Sequence, residues 1–171
     1  GGGRCEPEAK TQTPSARATR KPAESLVGRK LATIAWAPYG SSNHTSPAPL
    51  FTEGQAWVSY SAALRGLKAT SYVENRVAAE CISYRTDSVA AASAAIAAGL
   101  GVGFLPCMLG DITPGLERVG PVVPELQDEL WLLTHQDIRK SWRVKAFMTF
   151  CAAAVANQKP LIEGQLVLPV R

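Results

Sequence analysis

A chain of 171 residues has room for one ordinary domain, or for one domain and a tail. Its composition, 46% apolar and 19% charged, is that of a soluble globular protein, and no apolar stretch is long enough to span a bilayer free of charges and helix breakers. The formal net charge of +4 sits wholly in residues 1–30, which carry seven basic and three acidic side chains, whereas residues 31–171 carry eleven of each. Binding a DNA duplex takes concentrated positive charge on a folded surface, so the balanced part is not expected to bind DNA by itself. The start of the chain has no basic cluster followed by an apolar run, hence no secretory signal, and the expected compartment is the cytoplasm.

In chain order, residues 1–25 contain no aromatic or large aliphatic side chain, and a disordered lead-in is expected there. The run 31–36 (LATIAW) predicts a strand, ended by Pro38, Tyr39 and Gly40. Residues 41–54 read as a loop, 55–60 as a strand, and 61–79 as one or two short helices with a break near Thr70 and Ser71. Residues 81–85 have strand character. Thr86, Asp87 and Ser88 then supply three side chains that accept backbone N–H groups at a helix start. An alanine-rich helix over 89–98 ends at Gly99, and 102–105 form a strand closed by Pro106. The sum is a β–α–β unit with a crossover of the length that parallel strands require. Residues 116–119 read as a short strand, 130–134 (LWLLT) as a buried strand, and 142–156 as an amphipathic helix that Gln158 to Pro160 stop.

Candidate chemistry is sparse. Cys5, Cys81, Cys107 and Cys151 form no CxxC pair and lie at no zinc-ligand spacing from His44 or His135, so they read as small apolar residues; neither a metal nor a cofactor is expected. The glycines of Gly99-Leu-Gly-Val-Gly103 close a helix and enter a strand, the reverse of the order in a dinucleotide loop, so a tight turn with close helix–sheet packing is the better reading. No GxSxG elbow exists, Cys107 has no cationic neighbour in sequence, and no enzyme is expected. The start at Thr86–Ser88 is read first as plain capping. The same N–H groups would also seat a carboxylate or phosphate, although the charge of Asp87 opposes an anion unless it points away.

Several segments together resemble the effector-binding domain of LysR-type transcriptional regulators. They are Leu26-Val-Gly-Arg-Lys-Leu31 with the strand to Trp36 and Pro38-Tyr-Gly40; Ile82-Ser-Tyr-Arg-Thr-Asp-Ser88; Ala97-Ala-Gly-Leu-Gly-Val-Gly-Phe-Leu-Pro106, the most specific; and Glu129-Leu-Trp-Leu-Leu-Thr-His135 followed by Arg139 and Arg143-Val-Lys-Ala-Phe147. The resemblance covers residues 26–164 and implies an α/β fold of the type II periplasmic-binding-protein kind, with two lobes. The second lobe, about 55–119, is expected to be complete. The first is expected to be partial, a remnant of 26–40 and 128–158, with 165–171 as a tail. The family's helix-turn-helix and the opening β–α–β part of the first lobe are not seen ahead of Leu26, so the domain is expected to be truncated on that side.

By resemblance, a small metabolite, often anionic, binds between the lobes and controls a DNA-bound homo-oligomer. Its contacts on the second-lobe side would be Tyr39, Ser59, Tyr60, Thr86, Asp87 and Ser88. DNA would be reached only through the helix-turn-helix, and no membrane would be involved. Two alternatives stay open: a free-standing solute-binding protein of the same fold, and a dimerisation-only fragment. An under-covered face on the last helix, made by Val144, Phe147, Met148, Cys151 and Val155, predicts marginal stability or self-association.

Overall fold

The computed structural model describes residues 15–18, 26–43, 49–64 and 66–166. Its elements in chain order are β1 (Ser15–Ala18), β2 (Leu26–Ile34), β3 (Trp36–Ser41), β4 (Trp57–Tyr60), α1 (Lys68–Glu74), β5 (Ile82–Thr86), α2 (Val89–Ala97), β6 (Gly103–Pro106), α3 (Cys107–Gly110), β7 (Leu116–Arg118), β8 (Asp128–His135) and α4 (Trp142–Ile162). Two sheet systems result. In the first, β8 lies between β1 and β2 and is antiparallel to both. In the second, β3 lies antiparallel between β6 and β7, and β4 pairs in parallel with β5. A parallel bridge from Trp57 to Val102 joins these two pieces, with Val58 N donating to Val102 O at 2.8 Å and Val102 N to Ala56 O at 2.9 Å. The second unit is therefore one mixed sheet in the order β5-β4-β6-β3-β7. This is the two-lobed α/β arrangement of type II periplasmic binding proteins.

The β–α–β block folds as its residues dictate. Ser88 caps α2 by accepting from Ala91 N at 3.3 Å, and Gly99, at φ 85°, takes the left-handed turn that ends it. A methyl group on Gly103 would lie 2.8 Å from Ile96 Cδ1 and 2.9 Å from Val58 O, so the glycine lets α2 press onto β4 and β6. The run of glycines thus serves packing. On the other face Phe51, Trp57, Tyr72 and Phe104 form an aromatic cluster, with Phe51 stacked on Trp57 at 4.6 Å between ring centres.

Several expectations need correction. Four residues of the expected disordered lead-in, Ser15–Ala18, form β1; pairing with β8 uses backbone groups and needs no large side chains. The rest of 1–25, with His44 and the 165–171 tail beyond Leu166, lies outside the described residues. Pro38, Tyr39 and Gly40 do not end a strand but sit inside β3. Pro38 O accepts from Val119 N just past the end of β7, so the donor that proline lacks falls where no ladder continues. As a result 36–40 belong to the second unit's sheet, not to the first-lobe remnant. Helix α1 runs unbroken through Thr70 and Ser71, and the interruption comes ahead of Lys68. Helix α4 continues through Pro160 to Ile162, because a proline in the last turn forfeits a single hydrogen bond.

The end of α4 crosses to the second unit. Ile162 is buried in the same core cluster as Trp36, Leu105 and Cys107, and its carbonyl accepts from Ala35 N at 3.0 Å. Gly164, at φ 68°, would bring a methyl group within 3.0 Å of Cys107 Sγ and 3.2 Å of Ala35 Cβ. Helix α4 also packs on β2 and β8. No helix among the described residues is long and apolar enough to cross a membrane.

Candidate functional site

The three parallel strands of the second unit point the same way. Pro106, the last residue of β6, sits opposite Trp36, where the chain arrives from the first unit. The carboxyl ends of β4, β5 and β6 therefore face the first unit's sheet, the position at which open α/β sheets hold ligands.

Four of the six sequence-predicted residues meet there. Tyr60 and Thr86 are register partners across β4 and β5, and Asp87 and Ser88 follow directly. Thr86 is buried and its Oγ1 accepts from Ser88 N at 3.2 Å; Ser88 is half-buried and its Oγ accepts from Ala91 N. Both hydroxyls act here as acceptors, so each keeps its O–H proton for a further partner. Asp87 is exposed. Tyr60 is buried, donates to Phe104 O at 2.9 Å and meets Trp36 edge-on at 6.3 Å; burial pushes its phenol well above the usual tyrosine value. Ser59 is one register step back, on the opposite face of the strand from Tyr60. Its Oγ and Trp36 Nε1 are buried without a hydrogen-bond partner among the described residues.

Tyr39 lies elsewhere. It pairs with Gly103 and Arg118, three residues along β3 from Trp36, and its hydroxyl donates to Asp111 Oδ1 at 2.7 Å. Asp111 is also gripped by Arg118, Nε to Oδ1 at 2.8 Å and Nη2 to Oδ2 at 2.5 Å, while Arg118 Nη1 donates to Gly164 O at 3.1 Å. The Asp111 carboxylate beside Arg118 holds the guanidinium even more firmly protonated than usual, and burial, then Asp111, raises the Tyr39 phenol. Burial also pushes the Cys107 thiol up, against the opposing effects of Tyr39 and Arg118. Cys107 is thus kept as a neutral thiol.

A polar hollow of about 390 Å³, which the sequence reading missed, opens between the two units. Lys30 and Thr33 of β2, Lys68 at the start of α1, Pro124, Gln127, and Asp128 and Glu129 of β8 line it. Glu129 accepts from Lys30 Nζ at 3.0 Å and from Trp131 Nε1 at 2.9 Å; Trp131 and Lys30 hold its carboxyl below the usual glutamate value. Lys68 Nζ donates to Gln127 O. The one local clue was charge preceding two apolar runs: Arg29-Lys30 ahead of the run 31–36 and Asp128-Glu129 ahead of the run 130–134, opposite charges that an antiparallel pair brings together.

The family model of the LysR substrate binding domain matches residues 16–156. The chain belongs to this family. Among solved structures, this LysR substrate binding domain is similar to the regulatory domain of AphB from Vibrio vulnificus, with 19% identity over 81% of this chain and 73% of that one, at a TM-score of 0.58. It is similar to the effector domain of the transcriptional regulator AmpR of Pseudomonas aeruginosa, with 16% identity over 84% and 71% of the two chains, at 0.57. The regulatory domain of CcmR from Synechocystis, solved in complex with 2-PG, matches with 15% identity over 83% and 73%, at 0.54. At such identities the likeness concerns the fold. No curated protein matches the chain. The family match begins ten residues earlier than the resemblance at Leu26, and it takes in most of β1.

Proposed function

We propose that this LysR substrate binding domain is the sensing part of a transcriptional regulator. A small metabolite bearing an acidic group binds between the two α/β units, and DNA contact falls to a separate helix-turn-helix segment of the regulator. Family membership together with one observation carries the reading: the carboxyl ends of three parallel strands, with the O–H protons of Thr86 and Ser88 still available, face the other unit. A ligand held from both sides favours one arrangement of the units over another, and it can act on the regulator only by that difference in affinity. The regulator works as a homo-oligomer in the cytoplasm. It catalyses nothing: the fully buried thiol of Cys107 is held protonated, and the glycines of 99–103 serve a turn and packing. Tyr60 and Ser59 shape the second-unit wall, and Asp87 sets charge preference at the rim. Tyr39 acts through Asp111 and Arg118 and is a positioning residue.

Thermal-shift measurements against a panel of small organic acids test the reading. At least one acid raises the melting temperature, and Thr86→Ala and Ser88→Ala each reduce that ligand-dependent rise. No response to any member of the panel, or a response unchanged in both variants, counts against it.

A further inference from the structure

The hollow between the units carries four charged side chains of two signs. One pair is closed: Lys30 and Glu129 meet at 3.0 Å, and the second oxygen of Glu129 is held by Trp131. The other two are open. Lys68 gives its ammonium to a backbone carbonyl, Gln127 O, which carries no formal charge. Neither Lys68 nor Asp128 forms an ion pair among the described residues, and both are half-buried. Lys68 helps to hold the Glu129 carboxyl down from a distance, yet no carboxylate comes within ion-pair reach of it, and a ligand that brings a counter-charge into contact with each open group adds charge-assisted hydrogen bonds. The hollow, at about 390 Å³, is of the size that holds a small metabolite.

We propose that the effector is a small zwitterion of the amino-acid class, its carboxylate answered by Lys68 and its ammonium by Asp128. This rests on the sensing role proposed above, narrows it to a ligand of both signs, and seats the ligand's charged ends in a hollow that Thr86 and Ser88 do not themselves line. The chemistry selects against two neighbours: a plain organic acid leaves Asp128 unanswered, and a plain amine leaves Lys68 unanswered. Because Glu129 is already held on both oxygens, it does not compete for the ligand's ammonium, and Lys30, tied to Glu129, does not compete for the carboxylate.

Calorimetry and thermal shift on the 171-residue chain test this with free α-amino acids spanning apolar, acidic and basic side chains. Each is compared with its N-acetyl form, which removes the cation, and its amide, which removes the anion. At least one free amino acid is expected to bind about tenfold or more tightly than both of its masked forms. Asp128→Asn is expected to erase the preference over the N-acetyl form and Lys68→Gln the preference over the amide, with Lys68→Arg restoring the latter. Ligand-free melting temperatures show that each variant is folded. If N-acetyl amino acids or other organic acids bind as well as any free amino acid, the zwitterion is overturned and the sensing role stands. If nothing in either panel binds, both fall.

Discussion

The Asp111 carboxylate is almost fully enclosed, and Arg118 retains about a quarter of its exposure. Removing one partner of such a pair leaves the other charge desolvated and unanswered, which costs about 3 kcal/mol. Asp111→Ala is therefore expected to lower the stability measured by urea unfolding by about 3 kcal/mol. A change below about 1 kcal/mol, the range of exposed pairs, would contradict this account. The phenols of Tyr39 and Tyr60 and the thiol of Cys107 give a pH dependence. All three are raised by burial from ordinary values of 10.0 for the phenols and 9.0 for the thiol. The unfolded chain loses these protons first, so their contribution is whole below the unfolded values and is lost as the pH climbs past them. Unfolding midpoints are expected to be unaffected by these groups up to about pH 9 and to fall above it, less steeply in Tyr39→Phe. A midpoint that rises with pH in that range would refute the assignment.

At the scale of elements, α2 is set by local signals. Ser88→Ala is expected to cost about 1 kcal/mol through loss of the cap, read as a lower melting temperature. Gly103→Ala places a methyl group against both Ile96 and a strand carbonyl, and is expected to cost about 1–3 kcal/mol by overpacking. This block was legible in the sequence because cap, helix and terminating glycine lie within fifteen residues of one another. Where the outcome depended on a distant partner, local signals misled. Pro38 looks like a terminator, and only the position of β7 shows that its missing donor is harmless. The residues 15–18 look too polar to order, and only the unpaired edge of β8 supplies their partner. The candidate site divides the same way. Thr86 to Ser88 announced themselves as a helix start, whereas the hollow joins residues 30, 68 and 127–129 from separate elements, and no window of sequence contains them together.

For the whole molecule, α4 decides solution behaviour. Of its residues only Ala152 and Ile162 are fully buried. Trp142 and Phe150 are each 72% exposed and Phe147 is 43% exposed, while Val144, Met148, Cys151 and Val155 are half-buried. Exposed aromatic surface of this kind favours association. Light scattering coupled to size exclusion is expected to show concentration-dependent self-association that weakens severalfold in Trp142→Ser with Phe150→Ser. A monodisperse monomer at all concentrations would exclude it.

The placement of Ile162 and Gly164 beneath Ala35 and beside Cys107 also bears on synthesis. The second unit begins near Trp36, yet its last covering piece, at 162–164, is made well after its last strand at Leu116–Arg118. A nascent chain arrested at residue 150 holds every strand of that unit and still lacks the plug over its base. Contacts so distant in sequence form late and slowly, so the half-made unit stays open to chaperones and proteases until residues 162–164 emerge.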